Sequence, residues 1–302
     1  MFRDKKIYLT YVITAINVSI CILMFLIDKS LDFSVGTLID FGAKYNPLIA
    51  DGQYYRLVTP MFLHSDLTHL LFNMYALNIF GRNIELIYGK SKFIVIYLIA
   101  GIFGTLGSFI FSSSVAVGAS GAIFGLLGSY FYLYLSKPKA FNSGFLKNLL
   151  AILGINLVFG IVVPNIDNWA HVSGLVGGFI ISWAVGVRGE KVLTPKRVLV
   201  QILVVVIIFT SLFTGIKLTQ NSAVYYLDKG EDYLQKNDID AAEEQFKNGL
   251  STNEHTEIFH YYLGHISLAK GDNENAKYHF QKAVELSPGF TEAREVLDEL
   301  EE

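Results

Sequence analysis

The chain has 302 residues, 52% of them hydrophobic, and a formal net charge of −3, a length that accommodates more than one domain. Those averages conceal a break: residues 1–218 hold 17 Lys/Arg against 9 Asp/Glu and the remainder 7 against 18, so a basic apolar body joins an acidic soluble tail. No basic patch with interleaved aromatics is present and an acidic tail repels phosphate backbones, which argues against nucleic acid as a partner; the lone cysteine, Cys21, excludes an internal disulfide.

In chain order, seven stretches approach the roughly 20 apolar residues that an α-helix needs to cross about 30 Å of hydrocarbon. They are residues 7–27, 67–87, 93–111, 117–135, 146–163, 169–187 and 198–218. The first follows Arg3, Lys5 and Lys6 as a signal peptide would, but its apolar run is too long and no small-residue cleavage site follows, so it reads as an anchor. The second is the least typical, being interrupted by Asn73, Asn78, Arg82, Asn83 and Glu85. Lys and Arg concentrate in cytoplasmic loops. With the N-terminus inside, the inner segments hold 13 of them and the outer loops only Lys29, Lys44 and Arg56, and the tail from Thr219 is outside.

In that topology the second, fourth and sixth helices all start in the outer leaflet, and each start carries a polar constellation. They are His64, His69 and Asn73; Gly118-Ala119-Ser120-Gly121; and His171 followed by Gly174 and Gly178. Ionisable side chains at membrane depth are costly, face the bundle interior or a wet cavity, and mark function. At about 1.5 Å per residue, all lie within reach of water through a shallow cavity. Interhelical hydrogen bonding accounts for any one of these residues but not for their common depth.

Serine needs a neighbouring base, usually His, to become a nucleophile. Ser120 is flanked by glycines on both near sides, and His171 is the only His in the later helices. Gly121, Gly125 and Gly128 on one helix and Gly174 and Gly178 on the other have the spacing of close transmembrane packing; taken alone, they indicate packing as readily as catalysis. The Ser120 N–H near a helix N-terminus, and His69 and Asn73 four residues apart on one helix face, can donate to a developing oxyanion. No acidic residue is well placed to orient His171, since Asp167 lies four residues earlier in an outer loop, so a Ser/His dyad is preferred to a triad.

This set resembles the rhomboid family of intramembrane serine proteases, over residues from about 50 to 187. The resemblance implies a Ser120 nucleophile, a His171 base, and an oxyanion hole from His69, Asn73 and the Ser120 amide. It also implies cleavage of single-span membrane proteins near or inside their transmembrane segments, without a metal or cofactor, and makes Glu85 a structural or gating residue. Two positions depart from the family pattern: Tyr55-Arg56 replaces Trp-Arg, and Phe124 replaces a Tyr four residues after the serine. Neither removes a catalytic group.

The tail repeats itself: Asp238, Ala242, Phe246 and Leu250 recur 34 positions later as Asp272, Ala276, Phe280 and Val284. That period and the helix-turn-helix pattern are similar to the tetratricopeptide repeat. The second copy fits well, whereas the first has Gly249 and Glu254 where Ala and Pro are usual. Such units form concave surfaces that bind proteins or peptides. His255, His260, His265 and His279 match no standard metal-ligand spacing and read as surface or packing residues.

The expected fold class is all-α: a polytopic membrane protein with a six-helix rhomboid core, a seventh transmembrane helix and a small soluble helical-repeat domain. Its expected divisions are residues 1–49 (first helix and start of the outer loop), 50–190 (catalytic core), 191–218 (loop and seventh helix) and 219–302 (repeats). The expected function is intramembrane serine endopeptidase in a cell membrane, its partners being the bilayer, a membrane protein with a transmembrane segment, and a protein or peptide on the repeats. The rival is a non-catalytic membrane protein that binds transmembrane helices and uses the repeats as a scaffold, but a binder does not need a serine, a histidine and oxyanion donors at one depth. A channel or transporter is disfavoured by the lack of a paired inverted repeat and of a polar through-path.

Overall fold

The computed structural model describes residues 7–164 and 166–300; Arg3, Lys5 and Lys6, the first of the inner cations, lie outside them. All seven apolar stretches fall on helices: α1 (Leu9–Asp28), α4 (Leu67–Tyr88), α5 (Lys90–Phe111), α6 (Ser120–Ser136), α7 (Phe145–Val162), α8 (Asn168–Val185) and α9 (Pro195–Gln220). Among the described residues α1, α5, α7 and α9 are long and apolar enough to cross a membrane by length and composition alone. The other three are the helices whose starts carry the polar constellations, which lower their mean hydropathy or shorten them. The segment between α1 and α4 is more ordered than an unbroken loop. It holds the short helices α2 (Val35–Asp40), capped by Ser34 Oγ accepting from Thr37 N at 3.1 Å, and α3 (Asn46–Ala50), with Pro47 in its first turn.

Helices α5, α6 and α8 form the centre, and glycine decides how close they come. On α8, a Cβ at Gly174 would lie 2.1 Å from the Gly121 carbonyl oxygen of α6, and one at Gly178 would lie 2.0 Å from the Gly125 oxygen. One turn on, the contact becomes a buried hydrogen bond of 2.7 Å from Ser182 Oγ to Ser129 Oγ. The offset between partners stays constant along both helices, so α6 and α8 run parallel and their starts lie side by side. Helix α5 closes the other flank, with Gly104 against Gly121 and the Ala170 oxygen. Packing of this kind drives association where lipid offers no hydrophobic contrast.

Helix α1 is tied to α4 through one carboxylate. Glu85 is buried and accepts from the N–H groups of Tyr8, Leu9 and Thr10, each at 2.9 Å, and from Thr10 Oγ1 at 2.8 Å. No side chain of α1 caps its own start, so Glu85 satisfies donors that would otherwise be orphaned. Four donors on one buried carboxylate make this a structural anchor.

The chain divides into two compact units, Met1–Gly215 and Ile216–Glu302. Within the second, α10 (Ala223–Gln235) pairs with α11 (Ile239–Leu250), α12 (Thr256–Ala269) with α13 (Asn273–Leu286), and α14 (Thr291–Glu299) follows. The 34-residue period has a visible cause. Asp238 and Asp272 cap α11 and α13 by accepting from Ala241 N and Asn275 N, and Gly230 and Gly264 make room for the rings of Phe246 and Phe280. Gly249, where Ala is usual, lies where a Cβ would be 2.1 Å from the Phe259 ring. His260 and His279 meet Nδ1 to Nδ1 at 2.9 Å, and His265 packs edge-on against Tyr261 and Phe280. Among the described residues no three potential ligands gather to hold a metal ion.

Because Gly178 meets backbone, which cannot move aside as a side chain tip does, Gly178→Val is expected to cost at least ~2 kcal/mol. Gly154→Ala, where no atom lies within 4 Å of the added carbon, is expected to be neutral or slightly stabilising. Reversible unfolding in mixed detergent checks both.

Candidate active site

The three helix starts that come together differ in one respect. Asp66 caps α4, its Oδ1 accepting from His69 N at 2.8 Å, and Asp167 caps α8, its Oδ1 accepting from Ala170 N at 3.0 Å. The start of α6 has Ala119 at the cap position and no side-chain cap, so its first N–H groups, that of Ser120 among them, keep their partial positive charge for another acceptor. Ser120 is thus the first residue of the one uncapped helix among the three.

His171 is buried, in the first turn of α8, and the Phe124 ring stacks on it at 4.2 Å with an interplanar angle of 5°. Phe124 lies one turn after Ser120, so the same face of α6 carries the serine and the ring that orients the histidine. Asp167 gives Oδ1 to the cap, while its Oδ2 and His171 Nδ1 are both buried without a hydrogen-bonding partner among the described residues, so no hydrogen bond joins the two side chains.

On α4, His69 turns Nδ1 to Ser65 Oγ at 3.1 Å. The other face of its ring looks at Gly118: a Cβ there would sit 2.8 Å from His69 Nε2 and 3.6 Å from Ser120 Oγ. Gly118 has φ +126°, a conformation L side chains rarely adopt. Both its backbone and the space beside it therefore require glycine, and this explains why α6 starts at Ser120 and not at residue 117. Asn73, one turn below His69, uses one amide hydrogen on the His69 carbonyl at 3.0 Å and keeps the second. His64 is buried edge-on to His69 at 5.0 Å, and burial, with the His69 ring beside it, pushes it down to about 3, so it is neutral.

The segment between α1 and α4 holds the strand-like stretch that leads into Ser120. Lys44, fully buried, pairs its backbone with Ala116 in both directions at 3.0 and 3.1 Å, and its Nζ donates to the carbonyls of Ser112 at 2.6 Å and Ser114 at 2.9 Å. Asn46 Nδ2 donates to the Phe109 and Ser112 carbonyls, and Gly118 N donates to Pro60 O at 2.9 Å. Arg56 in turn binds Ile39 O, Ala43 O and Gln53 Oε1. Tyr55 lies half exposed with the guanidinium 5.3 Å from its ring centre, so the aromatic that replaces Trp covers Arg56 from the outside. Sequence reasoning misses Lys44, Ser65 and Asp66. An Asp three residues before His69 at the head of an apolar run is a cap signal that could have found the last, whereas the contacts of Lys44 are long-range and leave no local pattern.

A profile of the rhomboid domain matches residues 51–188, and a tetratricopeptide repeat profile matches residues 259–290. Putative rhomboid protease YdcA of Bacillus subtilis is 37% identical over 149 residues, 49% of this chain and 75% of its own length. Rhomboid protease AarA of Providencia stuartii is 32% identical over 243 residues, 70% of this chain and 83% of its own. The chain belongs to the rhomboid family. Rhomboid protease GluP of Bacillus subtilis is 33% identical over 289 residues, 95% of this chain, which spans 56% of that relative. With the apolar helices, this makes the chain a multi-pass membrane rhomboid followed by helical repeats.

Burial lowers Lys44 of this rhomboid to about 7, opposed by Asp167. Unfolded, the same amine keeps its proton up to its ordinary value of 10.5, so between those values the unfolded state binds more protons and stability rises with pH. The gain is absent below about 7 and complete above about 10. Lys44→Met is expected to flatten that stretch, which denaturation midpoints from pH 6 to 10 in wild type and variant would show.

Proposed function

We propose that this rhomboid is an intramembrane serine endopeptidase that cleaves single-span membrane proteins through a Ser120/His171 dyad. The observation that carries the proposal is the uncapped start of α6: it lies beside His171 through glycine contacts with α8 and beside His69 across Gly118. Of the three starts that meet here it is the one without a side-chain cap, which leaves it free for an anion.

In the first step Ser120 Oγ attacks the scissile carbonyl carbon and its proton passes to His171 Nε2. The carbonyl oxygen becomes an oxyanion facing the Ser120 N–H, with Asn73 and His69 as further donors. Collapse breaks the C–N bond, and His171 returns the proton to the departing amine. Water then attacks the acyl-serine by the same route and releases the carboxylate and Ser120. Lys44, Asn46 and Pro60, in the segment between α1 and α4, hold residues 112–118 ahead of Ser120, which supports a fixed aim for its N–H, and pre-aimed donors of this kind often supply most of the transition-state stabilisation in acyl transfer.

The topology belongs to the same proposal. Seven crossings from a cytoplasmic N-terminus put the site near the outer face of a cell membrane and the repeat domain outside the cytoplasm, with divisions near residues 50, 190 and 219. The repeats there engage a protein or peptide partner, or present a substrate. The excess of Lys and Arg on one side supports this orientation.

Reconstituted with a single-span substrate, Ser120→Ala and His171→Ala are each expected to lower cleavage by ~10³-fold or more, and Asn73→Ala by ~10²-fold. Cleavage by the folded variants at the wild-type rate would reject the dyad. Retention of a transmembrane peptide by wild type and variants alike, with no cleavage by any, would favour the non-catalytic binder.

A further inference from the structure

Asp66 and Ser65 fix more than the start of α4. Asp66 Oδ2 accepts the Ser65 hydroxyl at 2.8 Å, while Oδ1 accepts His69 N–H at 2.8 Å. Burial alone would raise the Asp66 carboxyl, but these hydrogen bonds and the neighbouring His69 hold it below the usual carboxylate range, and an ionised carboxylate only accepts. A serine hydroxyl has one hydrogen to give. With that hydrogen on Asp66, Ser65 Oγ meets His69 Nδ1 at 3.1 Å as an acceptor, so Nδ1 carries the ring proton. When the ring is neutral, Nε2, the nitrogen facing Gly118 and Ser120, is then a bare lone pair.

A lone pair repels an oxyanion, whereas an N–H stabilises it. We infer that Ser65 and Asp66 are positioning residues that set the tautomer of His69, so that His69 donates to the oxyanion only as an imidazolium. The inference rests on the Ser120/His171 reading above and adds a proton requirement to it. The titratable groups facing the His69 ring are Asp66, which favours the imidazolium through Ser65, and His64 and His171, which disfavour it when charged. His171 must be neutral to take the Ser120 proton while His69 must be protonated. The rate therefore rises with pH on the acid side as His171 loses its proton, and falls on the alkaline side as His69 loses its own.

The test is the pH dependence of kcat and KM for the full chain in vesicles, with one single-span substrate, from pH 5 to 10. Wild type is expected to lose kcat by about tenfold per pH unit on the alkaline limb. Ser65→Ala removes the acceptor that holds the proton on Nδ1. Asp66→Asn keeps the cap but lets the Ser65 hydroxyl donate to Nδ1. Both are expected to let neutral His69 carry its proton on Nε2, abolishing the alkaline limb with little change in KM, while Ser65→Thr keeps the wild-type profile. A wild-type profile without an alkaline limb would overturn the inference, as would a fall in kcat by one factor at every pH in both Ser65→Ala and Asp66→Asn. Ser120→Ala is run beside them: activity surviving in it rejects the dyad itself, a separate failure. Nitrogen NMR of labelled histidine in unaltered protein, assigned with His69→Gln, needs no folded Ser65 or Asp66 variant. A neutral His69 with its proton on Nδ1 is expected, and one with its proton on Nε2 would overturn the inference.

Discussion

Everything in the membrane unit depends on the backbone contact of α6 with α8. Gly121 and Gly125 meet Gly174 and Gly178 without an intervening side chain, and in hydrocarbon such close packing, with the interhelical hydrogen bonds it permits, is what makes two helices associate. Because the helices are parallel and in constant register, the contact brings their starts to one level and sets the stack of Phe124 on His171. A helix pair with ordinary side chains at the crossing would separate the two constellations by several ångströms, too far for proton transfer. The same contact leaves little freedom along its length, since the Ser129–Ser182 bond continues it on the next turn.

Polar groups in this unit divide into those that are used up and those that are left available. Glu85 has four donors, Lys44 two carbonyls, and Arg56 three acceptors; each anchors one segment to another. Around Ser120 the pattern reverses among the described residues: the α6 start has no side-chain cap, His171 Nδ1 has no partner, and Asn73 keeps one amide hydrogen. Buried polar groups are ordinarily satisfied, and those that are not call for an explanation beyond stability. Other buried polar atoms among the described residues, such as Asn17 Oδ1 and the Tyr97 hydroxyl, also lack partners, so it is the kind of group gathered here, a serine, a histidine and amide donors at one end of three helices, that points to chemistry.

Much of this was legible in the residues. Seven apolar runs, the glycine spacing and the 34-residue period are one-dimensional signals, and each corresponds to an element of the fold. The family was legible because His64, His69 and Asn73, the glycine-serine motif and His171 occur together. What could not be read is long-range or depends on backbone geometry. Nothing near Lys44 announces that it holds the stretch before Ser120, nothing near Glu85 that it caps a helix 75 residues away, and the positive φ of Gly118, which delays α6 by three residues, is invisible in a run that reads as continuous. The order in residues 28–66 is not legible for the same reason: its short helices are held by tertiary contacts more than by their own periodicity.

The most direct measurement is covalent labelling of the purified protein by a fluorophosphonate, which reacts with activated serines, with the adduct mapped by peptide mass spectrometry. A working dyad requires an adduct on Ser120 that disappears in folded His171→Ala. The absence of any Ser120 adduct in wild type, or one that forms equally fast without His171, would contradict it.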